Sequence, residues 1–328
     1  MSESKGVERP KTIPGVHVGH ASDFKGLTGC TVVLTEAGAV CGVDIRGSAS
    51  GTREIETCRP GHVAERVHGI LLAGGSAFGL DAAAGVIHYL EERGAGFPAG
   101  KSRVPIVPAA VIFDLEVGSA KARPNAGMAA WACQNASRAV AEGSVGAGTG
   151  ATVGKILGIR HATKGGVGFE SMAASKGIVV QALAVVNAFG DVVDPSTGRV
   201  IAGARLSPQT GGFASTERLM GRGKMRRVFS PSNTTLVVVL THAALNKVQA
   251  VKLAEMAQDG VARAVRPAHT MFDGDTVFAL SLGDKRADVS VLGAAAAQVT
   301  AAAIVRAVIM ARGLGGIPGC KEVPGSAA

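Results

Sequence analysis

The stretch PSNTTLVVVLT, residues 231–241, constrains this chain more than any other. Leu236, Val237, Val238, Val239 and Leu240 suit a pleated, packed surface, so the run reads as a β-strand opened by Thr234 and Thr235. Asn233 ends the turn before it, because its side chain bonds local backbone and tolerates unusual dihedrals. The same residues admit a chemical reading. A threonine hydroxyl is a weak nucleophile without a base beside it, and a chain-terminal threonine carries one in its α-amine, which titrates near about 8. Cutting at Asn233–Thr234 would create that terminus. The hydroxyl itself can attack the preceding carbonyl, with water resolving the ester. The basic segment GRGKMRR (221–227) runs into this point and could hold a strained bond before being released.

Of the 328 residues, 47% are hydrophobic and 18% charged, which describes a dense globular protein. The 46 glycines have no collagen-like period and read as tight turns and close backbone approaches. The net charge of +9 is dispersed except at GRGKMRR, where no aromatic residues interleave to stack bases, so no nucleic-acid partner is expected. Cys30, Cys41, Cys58, Cys133 and Cys320 show no C-x-x-C spacing and read as buried free thiols in a reducing compartment. The start MSESKGVERPK is polar and lacks a secretory pattern. The run VSVLGAAAAQVTAAAIVRAVIMA contains Gln298, Thr300 and Arg306 and reads as a core helix, not a membrane span. A cytoplasmic protein with no membrane partner is expected.

Strands are expected at 30–35, 39–45, 67–73 and 178–194, and from Thr234. Helices are expected over LDAAAGVIHYLEERG, over AGMAAWACQNASRAVAEG, through the Val251–Val265 repeat, and from about 289 to 312. Residues 197–232 read as a long loop. Helices and strands alternate in layers with enough β-branched runs for two sheets, which supports an α/β or α+β sandwich.

Three tempting motifs fail. GGSAFG would need glycine where Phe78 stands to be a serine-hydrolase elbow. In GTGATVGK the glycine spacing is wrong for a phosphate loop, and Ile156 stands where a magnesium-binding hydroxyl is required. DGD at 273–275 is followed by no calcium-loop pattern. His17 and His20 would lie on opposite faces of an extended segment, so no metal or other cofactor is expected.

A nucleophilic Thr234 would need an oxyanion donor, a cation and an orienting acid. Asn187 at a strand end, Lys155 after the glycine loop, and the pair Asp273 and Asp275 are the candidates. Each also has an ordinary reading: a turn cap, a surface charge, and two aspartates bracketing a tight turn.

Taken together, GCTVVL, GVDIRGSASGTRE, LLAGGSAFGLDAAAGV, VPIVPAAVIFDL, GAGTGATVGK, VVNAFGDVVD, NTTLVVV and HTMFDGDTVFAL, in this order, resemble the L-aminopeptidase/D-esterase family, whose relatives include β-peptidyl aminopeptidases and nylon-oligomer hydrolases. The resemblance covers nearly the whole chain. It implies an N-terminal-nucleophile-like αββα fold, two β-sheets between helical layers, in a single domain of residues 1–328. It implies self-cleavage into an α chain, 1–233, and a β chain, 234–328, that stay together, with assembly as a homo-oligomer, a tetramer of αβ heterodimers. By the same resemblance, Asn233 is expected to precede the cut and Thr234 to be the nucleophile. Asn187 matches the oxyanion-side asparagine, Lys155 the family lysine, and Asp273 with Asp275 the acidic pair of the nylon-oligomer branch. Phe113 stands where some relatives carry a tyrosine; it keeps the ring and loses the hydroxyl donor, which bears on substrate preference or an oxyanion contact. Ser76 and Phe78 match the loop that shapes the pocket. The implied substrates are small amides or esters with a free amino group, namely short peptides, D-amino-acid esters, and β- or ω-amino-acid amides. Two other readings compete. One is a threonine-nucleophile acyltransferase of the glutamate N-acetyltransferase type, which typically shows Ala-Thr at the cut. The other is an uncleaved, non-catalytic homologue.

Overall fold

The computed structural model describes residues 10–175, 177–207, 211–223 and 233–324. In chain order these form β1 (His17–Asp23), β2 (Thr28–Ile45), β3 (Thr52–Arg53), β4 (Arg66–Ala73), α1 (Ala83–Glu91), β5 (Phe97–Ala99), β6 (Ser102–Val104), β7 (Ala109–Val111), α2 (Ala126–Gln134), β8 (Thr152–Val153), β9 (Thr163–Lys164), β10 (Gly166–Ala173) and β11 (Val179–Asn187). Then come β12 (Asp191–Val193), β13 (Val200–Ala202), α3 (Thr216–Gly221), β14 (Thr234–Ala243), α4 (Lys247–Ala264), β15 (Val265–Arg266), β16 (Thr276–Lys285) and α5 (Val289–Met310).

One ladder runs β10-β11-β14-β16-β2-β4-β7-β3, with β1 also on β2. The two-layer arrangement arises because β2 is shared. Its second half pairs with β16 and its first half with β1 and β4, across a register shift between Leu34 and Ala39. The packing then separates into three apolar layers. Val237 and Val239 of β14, with Val180 and Val186 of β11, face α4 and α5. Leu236, Val238 and Leu240 point the other way, against Val33, Ile70 and Leu72. Beyond these, Val32, Leu34 and Leu71 pack on α1 and α2. The order is helix, sheet, sheet, helix. Strands covered on both faces read as continuous apolar runs, which is why TLVVVL shows no alternation.

Local sequence sets several boundaries. Asn246 and Gln249 form a capping box at the start of α4, and Asp288 accepts from the Ser290 and Val291 amides at the start of α5. The apolar helix α5 packs into the first of those layers, with 67% of its most apolar window buried.

Four expectations need correction. The strand expected over 178–194 is two, because β11 ends at Asn187 and Asp191–Val193 pair instead with β13 and β15 in a separate sheet. The two early strands are one long β2 that bulges through 35–38, the register shift absorbing the extra residues. The second helix stops at Gln134, because Ser137 and Ala139 instead bridge to Val18 and Lys11. The long loop contains β13 and α3, the latter capped by Ser215, while GRGKMRR lies largely outside the described residues.

Candidate active site

Thr234 opens β14 directly opposite Asn187, the last residue of β11, and is only 3% exposed. Its hydroxyl donates to the carbonyl oxygen of Asn233, the peptide bond just before it. The same oxygen accepts the Gly274 N–H at 2.9 Å. Asn233 ladders with Asp273, and its Nδ2 donates to the Phe272 carbonyl at 3.2 Å. The Asp273–Gly274–Asp275 loop therefore lies across the Asn233–Thr234 bond. Glycine is required at its centre, since a Cβ there would stand 2.9 Å from Thr234 Oγ1 and 2.7 Å from the Ala49 carbonyl oxygen. Gly47 makes room from behind, where a Cβ would fall 2.1 Å from the Asp273 carbonyl oxygen.

Asn187 and Lys155 are joined. Lys155 Nζ donates to Asn187 Oδ1 at 2.9 Å and to the Asn187 carbonyl at 3.0 Å. Oδ1 also accepts the Thr152 N–H at 3.0 Å, while Nδ2 donates to the Phe113 carbonyl at 3.0 Å. Lys155 follows the glycine-rich turn, whose backbone is tied down by Gly154 N–H to the Gly190 carbonyl and Lys155 N–H to the Phe189 carbonyl. Dehydration pulls the Lys155 ammonium down to about 7. The charges of Asp273, Glu116 and Asp114 oppose that shift, and Lys164 adds to it. Near neutral pH this amine can exist with or without its proton.

The two acids have separate tasks. Asp273 accepts from the Phe189 N–H at 3.1 Å and from Thr270 Oγ1 at 2.5 Å. Burial, and then the Asp275 charge, push its carboxyl up to about 6. Asp275, 1% exposed, accepts the Thr235 N–H at 2.7 Å and two donors from His269. In the uncut chain the acid thus holds the amide after Thr234, not Thr234 itself.

Behind Lys155 lies a group that sequence reasoning missed. Asp114 accepts from Thr28 Oγ1 and from the Gly75 N–H, both at 2.7 Å, and burial raises its carboxyl. Lys164 is fully buried on the Thr149 and Ala151 carbonyls, and dehydration brings it down to about 7 against the pull of Asp114. Nothing local marked these residues: Asp114 meets Thr28 and Gly75 only through the fold, and Lys164 meets backbone carbonyls 13 and 15 residues earlier, which no motif announces. His269 was also missed, although it sits inside HTMFDGDTVFAL.

The expected pocket residues are tied to the site indirectly. Ser76, at φ 55°, donates its N–H to the Ile112 carbonyl at 3.0 Å. Phe78 is exposed, with the Arg123 guanidinium 3.5 Å from its ring centroid. Phe113 is half-buried and engages Asn187 through its carbonyl. Among the described residues no hydrogen bond joins Ser76 or Phe78 to Thr234. Residues 112–114 link the two regions.

The pattern that defines peptidase family S58 matches residues 12–321. The chain belongs to peptidase family S58. An uncharacterized aminopeptidase of Mycobacterium leprae (strain TN) is 42% identical over 96% of this chain and 94% of its own length. A 6-aminohexanoate-oligomer endohydrolase of Kocuria sp. (strain KY2) is 31% identical over 90% of this chain and 84% of its own length. The solved L-aminopeptidase D-Ala-esterase/amidase of Ochrobactrum anthropi, described as a variant of the N-terminal-nucleophile hydrolase fold, superimposes with a TM-score of 0.73 at 18% identity, over 96% of this chain and 90% of that one. This S58 chain therefore has that fold, and it is a hydrolase of the aminopeptidase/amidohydrolase class.

Proposed function

We propose that the chain cuts itself at Asn233–Thr234 and then uses Thr234 to hydrolyse small amides or esters bearing a free amino group. The observation that carries this reading is the contact of the Thr234 hydroxyl with the carbonyl it would attack, while the Gly274 N–H holds the carbonyl oxygen. In the first step Oγ1 bonds to the Asn233 carbonyl carbon and the Thr234 nitrogen leaves, taking a proton to become the α-amine. Water then cleaves the resulting ester and frees the hydroxyl. The Gly274 N–H supports the charge that develops on the oxygen.

In the hydrolytic cycle the α-amine takes the hydroxyl proton as Oγ1 attacks the substrate carbonyl. The amine or alcohol product leaves with a proton, and water releases the acyl group. A Lys155 amine near neutrality beside Asn187 supports roles in steadying charge next to the nucleophile. The α-amine would sit against the Asp273–Asp275 loop. The 31% identity to a 6-aminohexanoate-oligomer endohydrolase favours ω-amino-acid amides among the candidate substrates. Family membership favours water over an amino acid as the final acyl acceptor.

Denaturing mass analysis of wild type and Thr234→Ala tests the reading. The wild type should yield a fragment beginning Thr-Thr-Leu-Val and turn over 6-aminohexanoate oligomers, while the variant stays whole and inactive. A variant that still cleaves there, or still turns over substrate, overturns it.

A further inference from the structure

Asp275 is a buried carboxylate, and such a group is tolerated only when donors surround it. Its Oδ1 takes the Thr235 N–H at 2.7 Å. Its Oδ2 takes two donors from one residue, the His269 backbone N–H at 3.0 Å and His269 Nδ1 at 2.9 Å. With Oδ2 as the acceptor, Nδ1 carries the hydrogen in that contact. His269 adopts φ 56°, a left-handed backbone that a non-glycine residue takes up only at an energetic cost. That turn is what brings its own amide and its own ring to the same oxygen. Nε2 is buried with no hydrogen-bond partner among the described residues, so the ring makes its one polar contact here through Nδ1. A strained backbone and a ring spent on one carboxylate are hard to explain as packing alone.

We propose that His269 is a positioning residue for this site, clamping Asp275 Oδ2 so that Oδ1 stays fixed on the Thr235 amide and holds the peptide plane directly after Thr234. The proposal rests on Thr234 being the nucleophile. Its force is greatest after cleavage. The threonine then has no covalent tether on its amine side, and the plane to Thr235 is the backbone anchor left to aim Oγ1. A loosened Asp275 would leave binding intact and misdirect the hydroxyl, so kcat should fall while KM stays near its original value.

Three variants separate this role from a backbone role. His269→Asn tolerates the left-handed φ and presents Nδ2 one bond from Cγ, as Nδ1 is. His269→Gly relieves the strain but supplies no side-chain donor. His269→Ala loses both advantages. With a 6-aminohexanoate oligomer as substrate, kcat should drop about ten- to a hundredfold in His269→Gly and His269→Ala, and His269→Asn should recover most of it. Thermal midpoints measured in parallel identify any variant that is simply unfolded, and the Gly-against-Asn comparison is read from those that fold. If His269→Gly matches wild type, or His269→Asn is no better than His269→Gly, the positioning role is overturned. Thr234→Ala is run alongside. Were it active, the nucleophile assignment would fall; were it dead while His269→Gly is fully active, only the His269 role would fall.

Discussion

Asn187 and Thr234 face each other on the last rung of the β11–β14 ladder, and Asn187 passes that placement to Lys155 through two hydrogen bonds. One strand end therefore sets both the candidate nucleophile and the amine. Asn187→Asp would put a carboxylate against the Lys155 ammonium and favour its charged form, raising the amine from about 7 toward its ordinary 10.5. NMR titration of reductively methylated protein should show that upward move, with turnover lower by about a hundredfold or more. An unmoved lysine would mean that the Asn187 contact is absent in solution.

Gly274→Ala is expected to block self-cleavage and turnover by at least about a hundredfold, because the added methyl would press on both Thr234 Oγ1 and the Ala49 carbonyl. Fragment appearance over time, followed by gel, reads the first effect. Normal cleavage kinetics would mean that the loop can withdraw from the bond.

Four buried groups give stability an unusual pH course. Asp191 and Asp273 are held up to about 6, so between about pH 4 and 6 the folded chain binds more protons than the unfolded one, and their contribution falls as pH rises. Lys155 and Lys164 are brought down to about 7, so above that pH the unfolded chain binds more protons and stability climbs. The climb should end near about pH 9, where the Cys30 and Cys133 thiols, held up to about 12, begin to act in the opposite sense. The urea midpoint should accordingly be higher at pH 8.5 than at pH 6.5, and Lys164→Met should flatten the difference. A midpoint that falls over this interval contradicts the lysine assignment.

Lys247, the first residue of α4, turns its Nζ onto the Thr57 and Ala64 carbonyls at 3.0 and 2.6 Å, with those of His62 and Arg59 within 3.4 Å. Lys247→Met leaves these acceptors without their donor and should cost about 2–3 kcal/mol of stability. Turnover at 25 °C should change little, since the contact lies away from Thr234. Denaturant unfolding compared with kcat separates the two effects.

What the sequence disclosed follows the range of each interaction. The strand from Thr234 and the long helices α4 and α5 are written in local pattern and caps, and so they were legible. The candidate site residues Thr234, Asn187, Lys155, Asp273 and Asp275 were nameable because their motifs resemble a family; spacing alone left ordinary readings open for each. The end of α2 was misjudged because a bridge to Val18, more than a hundred residues away, outcompetes helical propensity. Asp114 and Lys164 were invisible for the same reason, since a buried charge is recognised by partners that only the fold assembles. His269 stands out only through its backbone angle and its contact with Asp275.

The ladder order carries one more consequence. β14 and β16 lie between β11 on one side and β2 on the other, so the segment that begins at Thr234 fills the middle of a sheet whose flanks come from earlier in the chain. A nick before Thr234 would sever the polypeptide without releasing a piece of it, because withdrawing the second piece would unzip two rows of hydrogen bonds, β11 to β14 and β16 to β2. Such a protein would melt as one cooperative body while counting as two molecules on refolding. Its recovery from denaturant would then depend on concentration, although the folded pieces would stay together.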